Sequence, residues 1–97
     1  VSRYVLTPKA REDLDAIWRY SAERWDPDQA ERYLRRIGQA FTGLAEGTAR
    51  GKSAQDVRPG YFRLIVASHV IYYRNGTDGC VEIVRILHGR MDVERHL

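Results

Sequence analysis

Cys80 is the only cysteine in the 97-residue sequence, so no internal disulfide can staple the chain, and a buried strand thiol is its expected role. No His or Cys pair stands at metal-ligand spacing, and neither a metal nor any other cofactor is expected. No apolar run reaches the roughly 20 residues that a membrane helix needs. The opening residues also lack the charged-then-apolar plan of a signal segment. These absences predict a cytoplasmic chain with no membrane partner.

Strong charge of one sign is missing as well. The net charge is +3, and residues 1–46 balance eight basic against eight acidic side chains, as an interspersed, solvated surface does. Within residues 47–59, Arg50, Lys52 and Arg58 stand against Asp56 alone. The basic excess therefore lies in one segment, and no helical stretch carries the basic recognition face of a DNA reader. A hydrophobic content of 43% over this length supports one domain, residues 1–97, with a thin core of two layers.

What is present in abundance is β-forming sequence in the last third. Residues 61–67 and 69–74 are dense in β-branched and aromatic side chains and abut at Ser68; a third such run, residues 80–88, follows the turn-rich 75–79. This pattern predicts a three-strand antiparallel meander. Asn75-Gly76 is the pair expected to take positive φ at the second reversal. Alternation puts Phe62, Leu64 and Val66 on one face and Tyr61, Arg63 and Ile65 on the other; in the last run Val84 and Ile86 oppose Ile83, Arg85 and Leu87. The face that mixes arginines with apolar residues is expected to point away from the helices.

Upstream, residues 1–6 read as a short strand stopped by Thr7-Pro8. Thr7 is the expected N-cap and Pro8 the first residue of an amphipathic helix, with Ala10, Leu14, Ile17, Trp18 and Ser21 as its apolar stripe. Asp26-Pro27-Asp28-Gln29 caps and starts a second helix, in which Ala30, Tyr33, Leu34, Ile37, Phe41, Leu44 and Ala45 form the stripe and Gly47 the C-cap. Trp18 and Phe41 are expected in the core. Residues 46–60 lack periodicity and read as one long connection. The fold predicted is α+β, a four-stranded antiparallel sheet in the order β-α-α-β-β-β with an N-terminal helical hairpin on one face. Counting reversals along this order makes the first strand antiparallel to the strand at 61–67.

Particular segments carry a resemblance: Arg58-Pro59-Gly60, then residues 69–74 (HVIYYR), then residues 81–92 (VEIVRILHGRMD), with LTPKA and DLDAIW at residues 6–10 and 13–18. These resemble the RelE/ParE toxins of bacterial type II toxin–antitoxin operons, and IVRILHGR at residues 83–90 is similar to the ParE branch. The resemblance implies a toxin that inhibits DNA gyrase by protein–protein contact, without catalysis of its own. It implies a cognate antitoxin as partner, ParD-like, with a ribbon-helix-helix domain and a disordered C-terminal segment, through which alone DNA would be met. The RelE branch implies the alternative, a ribosome-dependent mRNA endoribonuclease. For that chemistry His88, Tyr72 or Tyr73, Arg63, Arg85 and Arg90 would have to supply base, acid and phosphate-binding cations. His88 at a strand end reads more simply as a structural histidine and Arg85 as a paired structural cation; no catalytic residue is assigned.

Candidate contact residues follow from strand and helix geometry. Arg63 lies on the mixed face, and Gly89 lets the chain turn so that His88, Arg90, Met91 and Asp92 project from the end of the last strand. This group is the expected target-binding set. Trp25 and Tyr33, at the edge of the helical hairpin, are residue types that interfaces favour and are the expected antitoxin-binding pair.

Overall fold

The structure is a computed structural model and describes residues 3–91 and 93–97. Its elements are β1 (Arg3–Leu6), α1 (Pro8–Arg24), α2 (Pro27–Glu46), β2 (Lys52–Ser53), β3 (Tyr61–Val66), β4 (His69–Asn75), a 3-10 turn (Thr77–Gly79), β5 (Cys80–His88) and α3 (Val93–His96). Both long helices begin as their sequences dictate. Thr7 Oγ1 accepts the Ala10 N–H at 3.1 Å and Asp26 Oδ1 the Gln29 N–H at 2.9 Å, and a proline follows each cap. Each cap satisfies a backbone donor that the helix itself cannot, worth about 1 kcal/mol. Gly47 closes α2 at φ +81°, a left-handed conformation that costs glycine little.

The class is α+β, but the sheet has five strands in the order β1-β5-β4-β3-β2. The expected count of four missed β2, in which Lys52 and Ser53 pair antiparallel with Arg63 and Phe62. Two residues without apolar alternation leave no strand signature in sequence. This short strand also overturns the expected direction of β1. It spends the long connection carrying the chain back along the sheet, which adds one reversal and inverts every strand after it. Hence β1 pairs parallel with β5, Arg3 to Cys80 through Leu6 to Ile83, and shares the direction of β3 as well.

Two further expectations change for local reasons. At the β4–β5 reversal the positive φ falls on Asp78 and Gly79, whereas Gly76 sits at φ −89°. In β5 the pairing jumps from Tyr73↔Ile83 to Tyr72↔Arg85, so Val84 is an inserted residue and the alternation shifts by one. Ile83 and Ile86 therefore both join the helix-side core, and Val84 and Leu87 lie in the opposite cluster. Thr7 Oγ1 donates to Val84 O at 2.8 Å, tying the start of α1 to that bulge.

The core under the helices contains Ala10, Ile17, Ile37, Phe41, Leu44, Val66, Ile71, Tyr73, Val81, Ile83 and Ile86. Phe41 is buried as expected, but Trp18 is 44% exposed, because Ile17 and Ser21 hold the centre of the α1 stripe and push Trp18 to its flank. Arg63 lies on the far face, as alternation requires, yet that face is not left open. A second cluster of Ala54, Tyr61, Tyr72 and Leu87 fills it, with Val93 and Leu97 packed against it. Arg58 donates to Leu97 O and Arg85 to His96 O, fastening α3 there. Cys80 is half-buried at the start of β5.

A candidate partner-binding surface at one end of the sheet

The last residue of β5, His88, pairs across the ladder with His69, the first of β4. Beyond it the chain turns sharply. Gly89 N donates to Ser68 O at 2.9 Å, Met91 N to His88 O at 2.9 Å, and Arg90 N to His88 Nδ1 at 3.2 Å. These bonds fix the turn while Arg90 and Met91 stay exposed. Asp92, the remaining member of the expected target-binding set, lies outside the described residues.

His69 joins this turn to the helical hairpin. Its Nδ1 is 2.7 Å from Tyr33 Oη, and the same hydroxyl donates to Val66 O at 3.4 Å. Trp25 stands edge-on to Tyr33, ring centroids 6.0 Å apart; Tyr33 and His69 are 5.5 Å apart, and His69 and His88 5.4 Å. Four rings thus run without a break from the tip of the hairpin to the end of β5. The expected antitoxin-binding pair, Trp25 and Tyr33, and the expected target-binding His88 are brought onto one surface. Beside this row opens a groove of ≈ 360 Å³ lined by Ala16, Ile17, Tyr20, His69, His88 and Met91. Trp25 and Tyr20 are 50% and 60% exposed, so the surface presents large aromatic area to solvent, a common trait of interaction sites.

Arg63 is not part of this surface. It opposes Tyr72, three residues from the sheet end, which is roughly 10 Å along the strand, and it forms a 2.7 Å ion pair with Asp56. Arg85 is engaged too, as the sequence suggested. Asp13 accepts two hydrogen bonds of 2.8 Å from its guanidinium and a third of 2.9 Å from Ile86 N. The ribonuclease set is not assembled. Tyr72 is buried in the far cluster, Tyr73 is in the helix-side core accepting Gly51 N–H at 2.8 Å, and Arg85 is held by Asp13.

The electrostatics follow from burial and from pairing. Burial, and then the neighbouring His88, pushes the His69 imidazole below its usual range, which favours the neutral ring. Burial raises the Tyr33 phenol, which keeps it a neutral hydrogen-bonding hydroxyl. The hydrogen bond to Asp13 raises Arg85 further. His69 and Tyr20 were not singled out from sequence, since one opens a β run and the other lies on the polar flank of α1. Pairing the histidines across the predicted hairpin would have found His69.

Comparison with known proteins agrees with this architecture. The family described as ParE toxin of type II toxin-antitoxin system, parDE, matches residues 4–93. Toxin ParE1 of Mycobacterium tuberculosis (strain H37Rv) is 43% identical over 96 residues, covering 99% of this chain and 98% of the relative. Toxin ParE1 of Caulobacter vibrioides is 40% identical over 94 residues, covering 97% and 96%, and Toxin ParE of Escherichia coli 29% over 97 residues, covering 100% and 94%. Among solved structures, the chromosomal ParDE TA system from P. aeruginosa contains a chain that superposes with a TM-score of 0.75 at 23% identity, covering 91% of this chain and 95% of that one; the likeness is one of fold. The chain belongs to the ParE toxin family of type II toxin–antitoxin systems.

Proposed function

We propose that this chain is the toxin of a type II toxin–antitoxin pair, acting in the cytoplasm as one domain that inhibits DNA gyrase by protein–protein contact and is silenced by a ParD-like antitoxin. The observation that carries this reading is full-length similarity to ParE toxins, 43% over 96 residues. The surface supports it. His88, Arg90 and Met91 are exposed on a turn pinned by three hydrogen bonds, so little ordering cost remains when a partner meets them. The antitoxin's disordered segment would lie along Trp25 and Tyr33, and Asp92 and Arg63 would extend the gyrase contact. DNA would be met only through the antitoxin.

The dispersal of His88, Tyr72, Tyr73 and Arg85 onto different faces and into different pairings favours binding over RNA cleavage, which needs base, acid and cations around one phosphate. Expression of this chain alone should arrest growth and induce the DNA-damage response, and co-expression with the antitoxin should restore growth. Arrest accompanied by position-specific mRNA cuts and no DNA damage would transfer the assignment to the ribonuclease branch.

A further inference from the structure

We propose that His69 and His88, with the thioether of Met91 as third donor, form a binding site for a soft transition-metal cation of the Cu(I) class in the groove beside α1. The two histidines are 19 positions apart in sequence (88 − 69), and only the β4–β5 ladder makes them direct partners. Among the described residues no three His, Cys, Asp or Glu groups gather for a metal. The third donor available in the groove is sulfur, from Met91.

The spacing fits one ion. A metal–imidazole bond of about 2.1 Å, plus about 1.1 Å from ring nitrogen to centroid, places each centroid about 3.2 Å from the metal. Two such arms at a tetrahedral angle of about 109° set the centroids about 5.2 Å apart. The observed separation is 5.4 Å, with the rings edge to face at 83°. A shared ion needs both ring edges to face it, an adjustment open to the exposed His88 ring through χ2, a soft two-fold torsion. Among the described residues, this rotation gives up the 3.2 Å hydrogen bond from Arg90 N, whose N–H water can satisfy.

His69 is prepared as a ligand. In the tautomer in which the Tyr33 hydroxyl proton goes to Val66 O, His69 Nδ1–H donates to Tyr33 Oη across the 2.7 Å contact and the Nε2 lone pair is left for a metal. An outer-shell partner on the remote nitrogen is the usual support of a metal-bound imidazole. Two imidazoles and a thioether against the apolar walls of Ala16 and Ile17 select a soft ion over Mg²⁺ or Ca²⁺, which prefer oxygen.

The test is a titration of the untagged protein, in a Cys80→Ser background so that the lone thiol does not compete, with Cu(I) under anaerobic conditions against a chromophoric Cu(I) chelator. Uptake of one equivalent is expected, with NMR shifts at the His69 and His88 rings and the Met91 methyl. His88→Gln and Met91→Leu, both at exposed positions, should each weaken binding at least about 10-fold, and Tyr33→Phe about 10-fold through the outer shell. Melting curves establish that the variants are folded. Complete retention of Cu(I) by the chelator would overturn the proposal, as would uptake of unchanged affinity in His88→Gln or in Met91→Leu. Neither result bears on gyrase, which the titration does not contain.

Discussion

At Asp13 three donors converge, two from the Arg85 guanidinium and one from Ile86 N, and both side chains of the pair are largely buried, 15% and 13% exposed. Removing one partner leaves a buried charge whose desolvation is no longer offset. Arg85→Ala should therefore cost about 3 kcal/mol, or more than about 10 °C in Tm for a domain of this size. Arg90→Ala, at an exposed position, should stay within about 0.5 kcal/mol. Paired thermal melts measure the contrast directly, and equal shifts would mean that Arg85 is not held as described. The role of Arg85 was legible in sequence because a cation inside an apolar strand demands a counter-charge. Its partner was not, since Asp13 is one of several acids on α1 and only the packing of that helix on β5 selects it.

The long connection between α2 and β3 is built around Gly51, where a Cβ would run into Arg63 O and the Tyr73 hydroxyl. That close approach lets Gly51 N reach Tyr73 Oη at 2.8 Å and sets β2 against β3. Gly51→Ala should cost about 1–3 kcal/mol through overpacking, measurable as a lowered denaturation midpoint with the m-value unchanged. The helix ends could be read from Thr7-Pro8, Asp26-Pro27 and Gly47 because capping is local chemistry. By contrast, β2, the parallel pairing of β1 and the bulge at Val84 depend on which strand lies alongside. The one-residue bulge inverts the expected faces of Ile83 and Val84. The turn after β5 is legible in sequence from Gly89. Arg90→Ala should relieve toxicity at nearly unchanged Tm, with antitoxin binding retained. Arg63→Ala should do the same if the gyrase contact extends across the sheet; its exposed pair with Asp56 is worth only about 0–1 kcal/mol. Growth assays beside melting curves decide it, and full toxicity of both variants would move the gyrase contact elsewhere.

Across the whole molecule, the ring row Trp25–Tyr33–His69–His88 and the adjoining groove place the proposed antitoxin surface against the proposed target surface. Trp25 and Tyr33 were visible in sequence as aromatics at a hairpin edge; that they meet His88 was not, because three separate elements have to converge on one sheet end. An antitoxin segment that folds on binding needs a wide interface, roughly 1,600 Å² or more in total, to offset its ordering. Hydrogen exchange on the complex should show protection from residue 25 to residue 33 and along one sheet strand. Protection restricted to residues 47–60 would contradict that placement. The proposed inhibition of gyrase by contact is read out in a supercoiling assay with purified gyrase, relaxed plasmid and this protein, with and without antitoxin. Dose-dependent loss of supercoiling or trapped cleaved DNA is expected, reversed by antitoxin and weakened by Arg90→Ala. Supercoiling that proceeds unchanged at a large molar excess of folded protein would contradict it.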